Sequence, residues 1–159
     1  MEQMYQEYRD IAEFRMIYIR EAHAVDGRRP AKIAEQKNIH EHTSLDDRCT
    51  TAGMLIEDKS LTIPTLVDEM DDGVGGLYRA WPDRVFLIRS DGRLAVAAER
   101  GPWGFAPALE ATGQWLAEFK RSGQEPELAE EDVAAAEKRA AEKRAAEKRN
   151  PGPRSGDRD

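Results

Sequence analysis

The sequence has a single cysteine, Cys49, among 159 residues. One thiol closes no intramolecular disulfide, which excludes a disulfide-stapled secreted domain and a cysteine-rich zinc site. Long apolar runs are absent too, so no segment reads as a transmembrane helix. The opening MEQMYQEYRD carries neither a basic start nor an apolar stretch, which is not a secretory signal; cytoplasmic residence is the expectation. Positive charge is also in deficit, with 24 Lys+Arg against 31 Asp+Glu and a net charge of -7. Such a balance argues against nucleic acid and against an anionic membrane surface as partners.

What is present is polar and unevenly distributed. Charged residues make up 35% of the chain and the mean hydropathy is -0.74. Residues 126–159 hold nine acids and eight bases, so most of the negative charge lies in the first 125 residues. Three Ala-Glu-Lys-Arg units repeat between Ala136 and Arg149. A five-residue period leaves no apolar stripe on a helix, and heptads are lacking. Two domains of unequal character follow: a folded domain at 1–124 and a charged tail at 125–159, disordered or a solvated helix.

The apolar periodicity orders the domain. Residues 2–13 place Tyr5, Tyr8, Ile11 and Ala12 on one helical face. Residues 14–19 form a β-rich apolar run, read as a buried strand. Residues 24–43 lack a clear period. Ser44 is an N-cap, with Asp46 and Asp47 in the first turn, and the helix runs to about residue 58. Its predicted face is Leu45, Cys49, Ala52 and Ile56, which would bury Cys49 as an inert thiol. Residues 63–68 form a second strand, and the glycine-rich 71–76 reads as a loop. Residues 77–81 suit one helical turn. Strands at 84–88 and 94–98 flank the hairpin turn Ser90-Asp91-Gly92-Arg93. A last helix at 107–119 has Pro107 in its first turn. The predicted class is α/β, with a thioredoxin-like mixed sheet flanked by helices. Its first βα unit, due before the helix at 2–13, is missing or truncated.

Few residues could carry chemistry. His40-Glu41-His42 with His23 is a weak metal pattern, lacking a fixed third ligand, and no metal is expected. Glu21 and His23 follow a buried strand, at the end where α/β sheets form ligand crevices. In an extended chain both would point to one side.

Ile17-Tyr18-Ile19-Arg20-Glu21-Ala22-His23-Ala24-Val25-Asp26-Gly27 resembles the IYIxEAHAxDGW signature of the iodothyronine deiodinase family. Asn38-Ile39 with His42, Leu45 and Arg48 is similar to its NxxxHxxLxxR stretch. Pro64, Val67-Asp68 and Met70 resemble PxxVDxM, Leu77-Tyr78 with Asp83-Arg84 resembles LYxxxxER, and Gly101-Pro102-Trp103 resembles the GPW of the last helix. The resemblance spans residues 5–119. It implies a thioredoxin-like selenol or thiol oxidoreductase, close to peroxiredoxins, acting on an aryl halide such as an iodothyronine or on a peroxide. It implies a small-molecule substrate and an external thiol as electron donor, with no resident cofactor; a homodimer is left open. Two departures stand out. Arg28 occupies the place of the family's Trp. The family's reactive selenocysteine or cysteine precedes the first matched helix, so no residue here is assignable as nucleophile and it is expected upstream of Met1.

By that resemblance Glu21, His23 and His42 are the catalytic candidates. His23 would move the proton, Glu21 would orient or relay, and His42 would position a phenol. Arg84 and Arg100 are candidates for lowering a thiol pKa or gripping an anion. Trp81 and Trp103 are candidate walls of an aromatic pocket, with core packing the plainer role. Cys49, if reachable, is a candidate resolving thiol. The other class of function is a noncatalytic thioredoxin-fold binding module. Because the tail has no apolar face, deleting 126–159 is expected to leave the melting temperature nearly unchanged. A calorimetric drop of more than ~4–8 °C, about 1 kcal/mol for a domain of this size, would show that the tail packs.

Overall fold

The computed structural model describes residues 1–127. In chain order these form α1 (Glu2–Tyr8), β1 (Met16–Tyr18), α2 (Lys32–Lys37), α3 (Leu45–Lys59) and β2 (Thr65–Val67). Then follow α4 (Gly73–Leu77), β3 (Phe86–Ile88), β4 (Leu94–Ala97) and α5 (Pro102–Ser122). One compact unit runs Met1–Glu125. From residue 128 on, the expected charged tail lies outside the described residues.

β1 and β2 pair in parallel, Met16 opposite Thr65 and Tyr18 opposite Val67. Parallel neighbours need a long crossover, which α2 and α3 supply. Pro64 sits just outside β2, where its carbonyl accepts the Met16 N–H at 3.0 Å and its missing donor does no harm. β3 and β4 form the antiparallel hairpin, with an irregular register between Leu87 and Ile88. Mixed pairing is as expected, and it is divided between two separate ribbons. Small parallel and antiparallel sheets flanked by helices make this a thioredoxin-like α/β fold.

The helices depart from the sequence reading in instructive ways. α1 ends at Tyr8, and the chain then turns, with Ile11 and Ala12 N–H groups both donating to the Tyr8 carbonyl. α2 was hidden in the aperiodic 24–43 stretch; it is short and stops at Asn38, whose φ of 53° is left-handed. α3 starts as predicted, with Ser44 Oγ accepting the Asp47 N–H at 3.1 Å. Its buried face differs. Arg48 and Ala52 are buried, whereas Leu45 and Cys49 are exposed. The reading of Cys49 as a buried thiol is therefore corrected: the helix turns its guanidinium, not its thiol, inward.

The expected loop at 71–76 is largely the short helix α4. Asp68, itself 3% exposed, explains it. Its carboxylate accepts N–H groups from Glu69 at 3.0 Å, Val74 at 3.0 Å and Gly75 at 2.7 Å. A carboxylate on the free amides of a first turn offsets glycine's poor helix propensity. Gly75 is required for space: a Cβ there would lie 3.2 Å from Asp68 Oδ2 and 3.4 Å from Ile19 Cγ2. α5 also starts early. Pro102, not Pro107, occupies its first turn, and Pro107 lies inside the helix.

Burial is modest and local. Val85, Ala98 and Ala108 form a buried cluster joined by Val96, Phe105 and Leu109, which seats the hairpin on α5. Lys120 Nζ donates to the Glu7 carbonyl at 2.8 Å and lies 5.3 Å from the Tyr8 ring centre, tying α5 to α1. Glu2 accepts from Thr62 N–H at 2.9 Å, Thr62 Oγ1 at 2.6 Å and Gln6 Nε2 at 2.8 Å. Those donors favour its ionised form and hold its pKa down to about 2.

Arg48 is the deepest charge, 2% exposed. Its Nη1 donates to the Asp68 carbonyl at 3.1 Å and the Glu69 carbonyl at 2.7 Å, and ion-pairs with Asp72 at 3.0 Å. It thereby fixes the β2–α4 connection to α3. Arg48→Met is expected to cost ~1–3 kcal/mol in urea unfolding, because it leaves two carbonyls without their donor and Asp72 with only the more distant Arg20. A loss below ~1 kcal/mol, the level of a surface pair, would show that the clamp contributes little.

Candidate active site

The site grows from the carboxyl end of β1. Tyr18 closes that strand, and its Oη donates to Glu21 Oε2 at 2.9 Å. Glu21 Oε1 accepts the backbone N–H groups of Ala22 at 2.9 Å and His23 at 3.0 Å. The chain therefore turns at Glu21 rather than staying extended. Burial first, then the Glu21 charge, raises the Tyr18 pKa, so the phenol keeps its proton.

His42 lies against Tyr18, ring centres 5.8 Å apart. Its Nδ1 and Nε2 are both buried without a hydrogen-bond partner among the described residues. Burial, then the Arg48 charge, lowers its pKa and keeps it neutral. Such an imidazole has one donor and one acceptor unspent. It faces a cavity of about 630 Å³, whose walls include Glu21, His42, Arg48, Met70, Asp72 and Trp81. That size suits a small organic molecule. Arg20 stacks on Trp81 with its guanidinium 5.1 Å from the ring centre and lies 3.7 Å from Asp72.

The structure brings three of the predicted residues to this cavity: Glu21, His42 and Trp81. His23 is exposed and outside its walls. Its Nδ1–H donates to the Arg29 carbonyl at 2.8 Å, since a carbonyl can only accept. Glu21 and His23 thus do not act as a same-side pair, because the extended geometry they required ends at Tyr18. Arg100 lines a second cavity of about 420 Å³, which shares Arg20, Asp72 and Trp81 with the first. Arg84 lines neither. Its Nε donates to the Ala98 carbonyl at 2.7 Å and its Nη1 to the Tyr78 carbonyl at 3.0 Å, a backbone clamp beside the hairpin. Trp103 is exposed and forms no wall of either cavity. Cys49, exposed on α3, is not among the lining residues.

The profile of the iodothyronine deiodinase family matches residues 1–119. Type I iodothyronine deiodinase of Xenopus laevis is 36% identical over 103 residues, 64% of this chain and 38% of that protein. Thyroxine 5-deiodinase of Sparus aurata is 31% identical over 117 residues, 72% of this chain and 40% of that protein. The Gallus gallus thyroxine 5-deiodinase is 32% identical over 117 residues, covering 74% and 43%. The chain belongs to the iodothyronine deiodinase family. It spans about two fifths of the length of these relatives.

Around the cavity stand residues that sequence reasoning missed, Tyr18 behind its wall and the others in it. Tyr18 stands three positions before Glu21 and was read only as strand. Arg48 and Asp72 were legible as charges but not as a buried pair, since nothing in the local pattern marks an inward arginine. Arg20, Arg28 and Arg29 also line the cavity.

The histidine can be tested by pH. The His42 ring is expected to titrate below the ordinary value of 6.5 in NMR spectra. Because its folded pKa is depressed, it favours folding above the unfolded value, and that contribution is lost as pH falls through the folded pKa. A midpoint at or above 6.5 would mean the ring is neither desolvated nor near Arg48.

Proposed function

We propose that this chain carries the substrate pocket and acid–base groups of a reductive dehalogenase acting on an aryl halide such as an iodothyronine. The observation that carries the reading is the neutral, unpartnered His42 beside the Tyr18–Glu21 pair in a cavity with Trp81 and Met70. Aromatic and thioether walls suit an iodinated ring. Neutral His42 lines the cavity with a donor and an acceptor that no described residue uses, and a small shift of the ring would bring them to a phenolic hydroxyl. The Tyr18–Glu21 hydrogen bond gives a proton path from the pocket to the strand end, and His23 Nε2 is a second proton carrier.

The chemistry balances with an external thiol. An aryl–iodine bond breaks and an aryl–hydrogen bond forms. Two thiols become a disulfide, and iodide and a proton leave. The selenol or thiol that meets the halogen is supplied from outside these 159 residues. Electrons come from an external thiol, with no resident cofactor. Peroxide reduction would use the same nucleophile, but it makes no use of the aromatic wall.

Two measurements on the chain test this reading. Calorimetric titration with 3,5-diiodophenol is expected to show binding that His42→Ala weakens by at least about tenfold, the loss expected for a buried hydrogen-bonding group. Unchanged affinity in the variant would remove His42 from the site. Incubated with dithiothreitol, the chain is expected to release no iodide. Release abolished by Cys49→Ser would make Cys49 the nucleophile. Absence of binding to any aryl halide would leave the noncatalytic binding module as the better account.

A further inference from the structure

The His42 ring is held by no directional bond of its own. Neither ring nitrogen has a hydrogen-bond partner among the described residues, and the ring meets Tyr18 at a centre distance of 5.8 Å. A side chain without bonds is placed by its backbone. Here that backbone belongs to no helix, since α2 ends at Lys37 and α3 begins at Leu45. A surface loop usually leaves its N–H groups to water. In this loop the amides on either side of His42 each meet an aspartate. Glu41 N–H donates to Asp26 Oδ1 at 2.8 Å. Thr43 N–H donates to Asp47 Oδ2 at 3.1 Å, and Thr43 Oγ1 donates to the same oxygen at 2.6 Å.

Both carboxylates are themselves fixed, and from different elements. Asp26 sits in a turn closed by the Gly27 N–H on the Ala24 carbonyl at 3.0 Å. A Cβ at Gly27 would lie 3.1 Å from that oxygen, so the turn is tight. Val25 N–H donates to the Ile39 carbonyl at 2.8 Å, which joins the turn to the loop of His42. Asp47 lies in the first turn of α3, its own N–H held by Ser44 Oγ at 3.1 Å. Accepted hydrogen bonds favour the ionised carboxylate. The Glu41 amide is the main cause that lowers the Asp26 pKa, and the Thr43 hydroxyl the main cause for Asp47. Both clamps are therefore charge-assisted at neutral pH. Asp26 Oδ2 also meets His40 Nδ1 at 3.2 Å, a half-exposed pair that adds little.

We propose that Asp26 and Asp47 are positioning residues for His42: by clamping the flanking Glu41 and Thr43 amides they hold the imidazole against Tyr18 at the cavity wall. Groups that act on a ligand need such support, because small misplacements cost much of their effect. The inference rests on the role given to His42 under Proposed function, but its main readout needs no ligand. Asp26→Leu removes the acceptor at similar size. Asp26→Asn keeps an oxygen for the Glu41 N–H and loses only the charge, so a difference between the two reports the clamp. The His42 ring is followed by NMR in the whole chain. Burial and Arg48 lower its pKa, while Glu21, Asp47 and Asp72 raise it. A released ring leaves burial and Arg48 behind.

In Asp26→Leu the His42 midpoint is expected to rise to the ordinary 6.5, and the ring contacts with Tyr18 to vanish. Asp26→Asn is expected to keep both. Affinity for 3,5-diiodophenol should fall about tenfold in the first variant and change little in the second. In the unmodified chain the Glu41 and Thr43 amides are expected to exchange with solvent about tenfold more slowly than unbonded loop amides. An unmoved midpoint with intact Tyr18 contacts in Asp26→Leu overturns the proposal. Equal displacement in both variants does so too, since charge and not the amide clamp would then be the cause. Freely exchanging Glu41 and Thr43 amides overturn it without any variant. Where Asp26→Leu does not fold, Asp26→Ala gives the same comparison. Failure of the dehalogenase reading looks different: no aryl halide binds the unmodified chain, and the NMR comparison still decides the clamp.

Discussion

The buried Arg48 guanidinium is the constraint on which the rest of the site depends. A charge this deep needs partners, and it finds them in two carbonyls and a carboxylate, all from one short stretch, Asp68 to Asp72. That stretch cannot then relax. Asp68 is held with its carboxylate over the amides of Val74 and Gly75, which is why a glycine-rich run becomes α4. Asp72 is held at the cavity wall, where it also draws Arg20 toward Trp81. The same guanidinium helps keep His42 neutral. One side chain therefore sets a helix, a wall and the charge state of an imidazole.

The sequence marked elements better than it marked faces. Strand positions, the hairpin and the Ser44 cap were legible because each has a local cause: β-branched runs, an Asp-Gly turn, a hydroxyl that accepts the Asp47 amide. α4 was not legible, because its cause is a carboxylate at Asp68, several residues upstream and outside any capping pattern read for 71–76. Cys49 was misplaced because helical periodicity assumes that apolar residues point inward, and α3 buries an arginine instead. In the site, Glu21 and His42 were found through motif resemblance, and Trp81 through its aromatic ring alone. Tyr18 was missed because a tyrosine in a strand looks like packing until its hydroxyl is seen on Glu21. His23, the most prominent motif residue, anchors a turn through Arg29, and no pattern of residue types distinguishes that from facing the cavity.

The two ribbons raise the question of what holds so little sheet together. A three-residue parallel pair and a short hairpin are marginal on their ladders alone. Their exposed faces even carry apolar pairs, Ile17 opposite Leu66 and Ile88 opposite Leu94. The described structure answers with side chains that grip backbone. Arg84 holds Ala98 and Tyr78, Glu125 receives Arg89 and the Ser90 N–H, Lys120 holds Glu7, and Glu2 holds Thr62. Each clamp joins segments distant in sequence, where loop-closure entropy is largest and a directional bond adds most to register. Three of these six bonds go to carbonyls and two to N–H groups, the polar groups that a sheet edge or helix end leaves unpaired. This explains why a polar chain with few large buried side chains still positions a cavity. The positioning resides in charge-assisted bonds to main chain rather than in core volume.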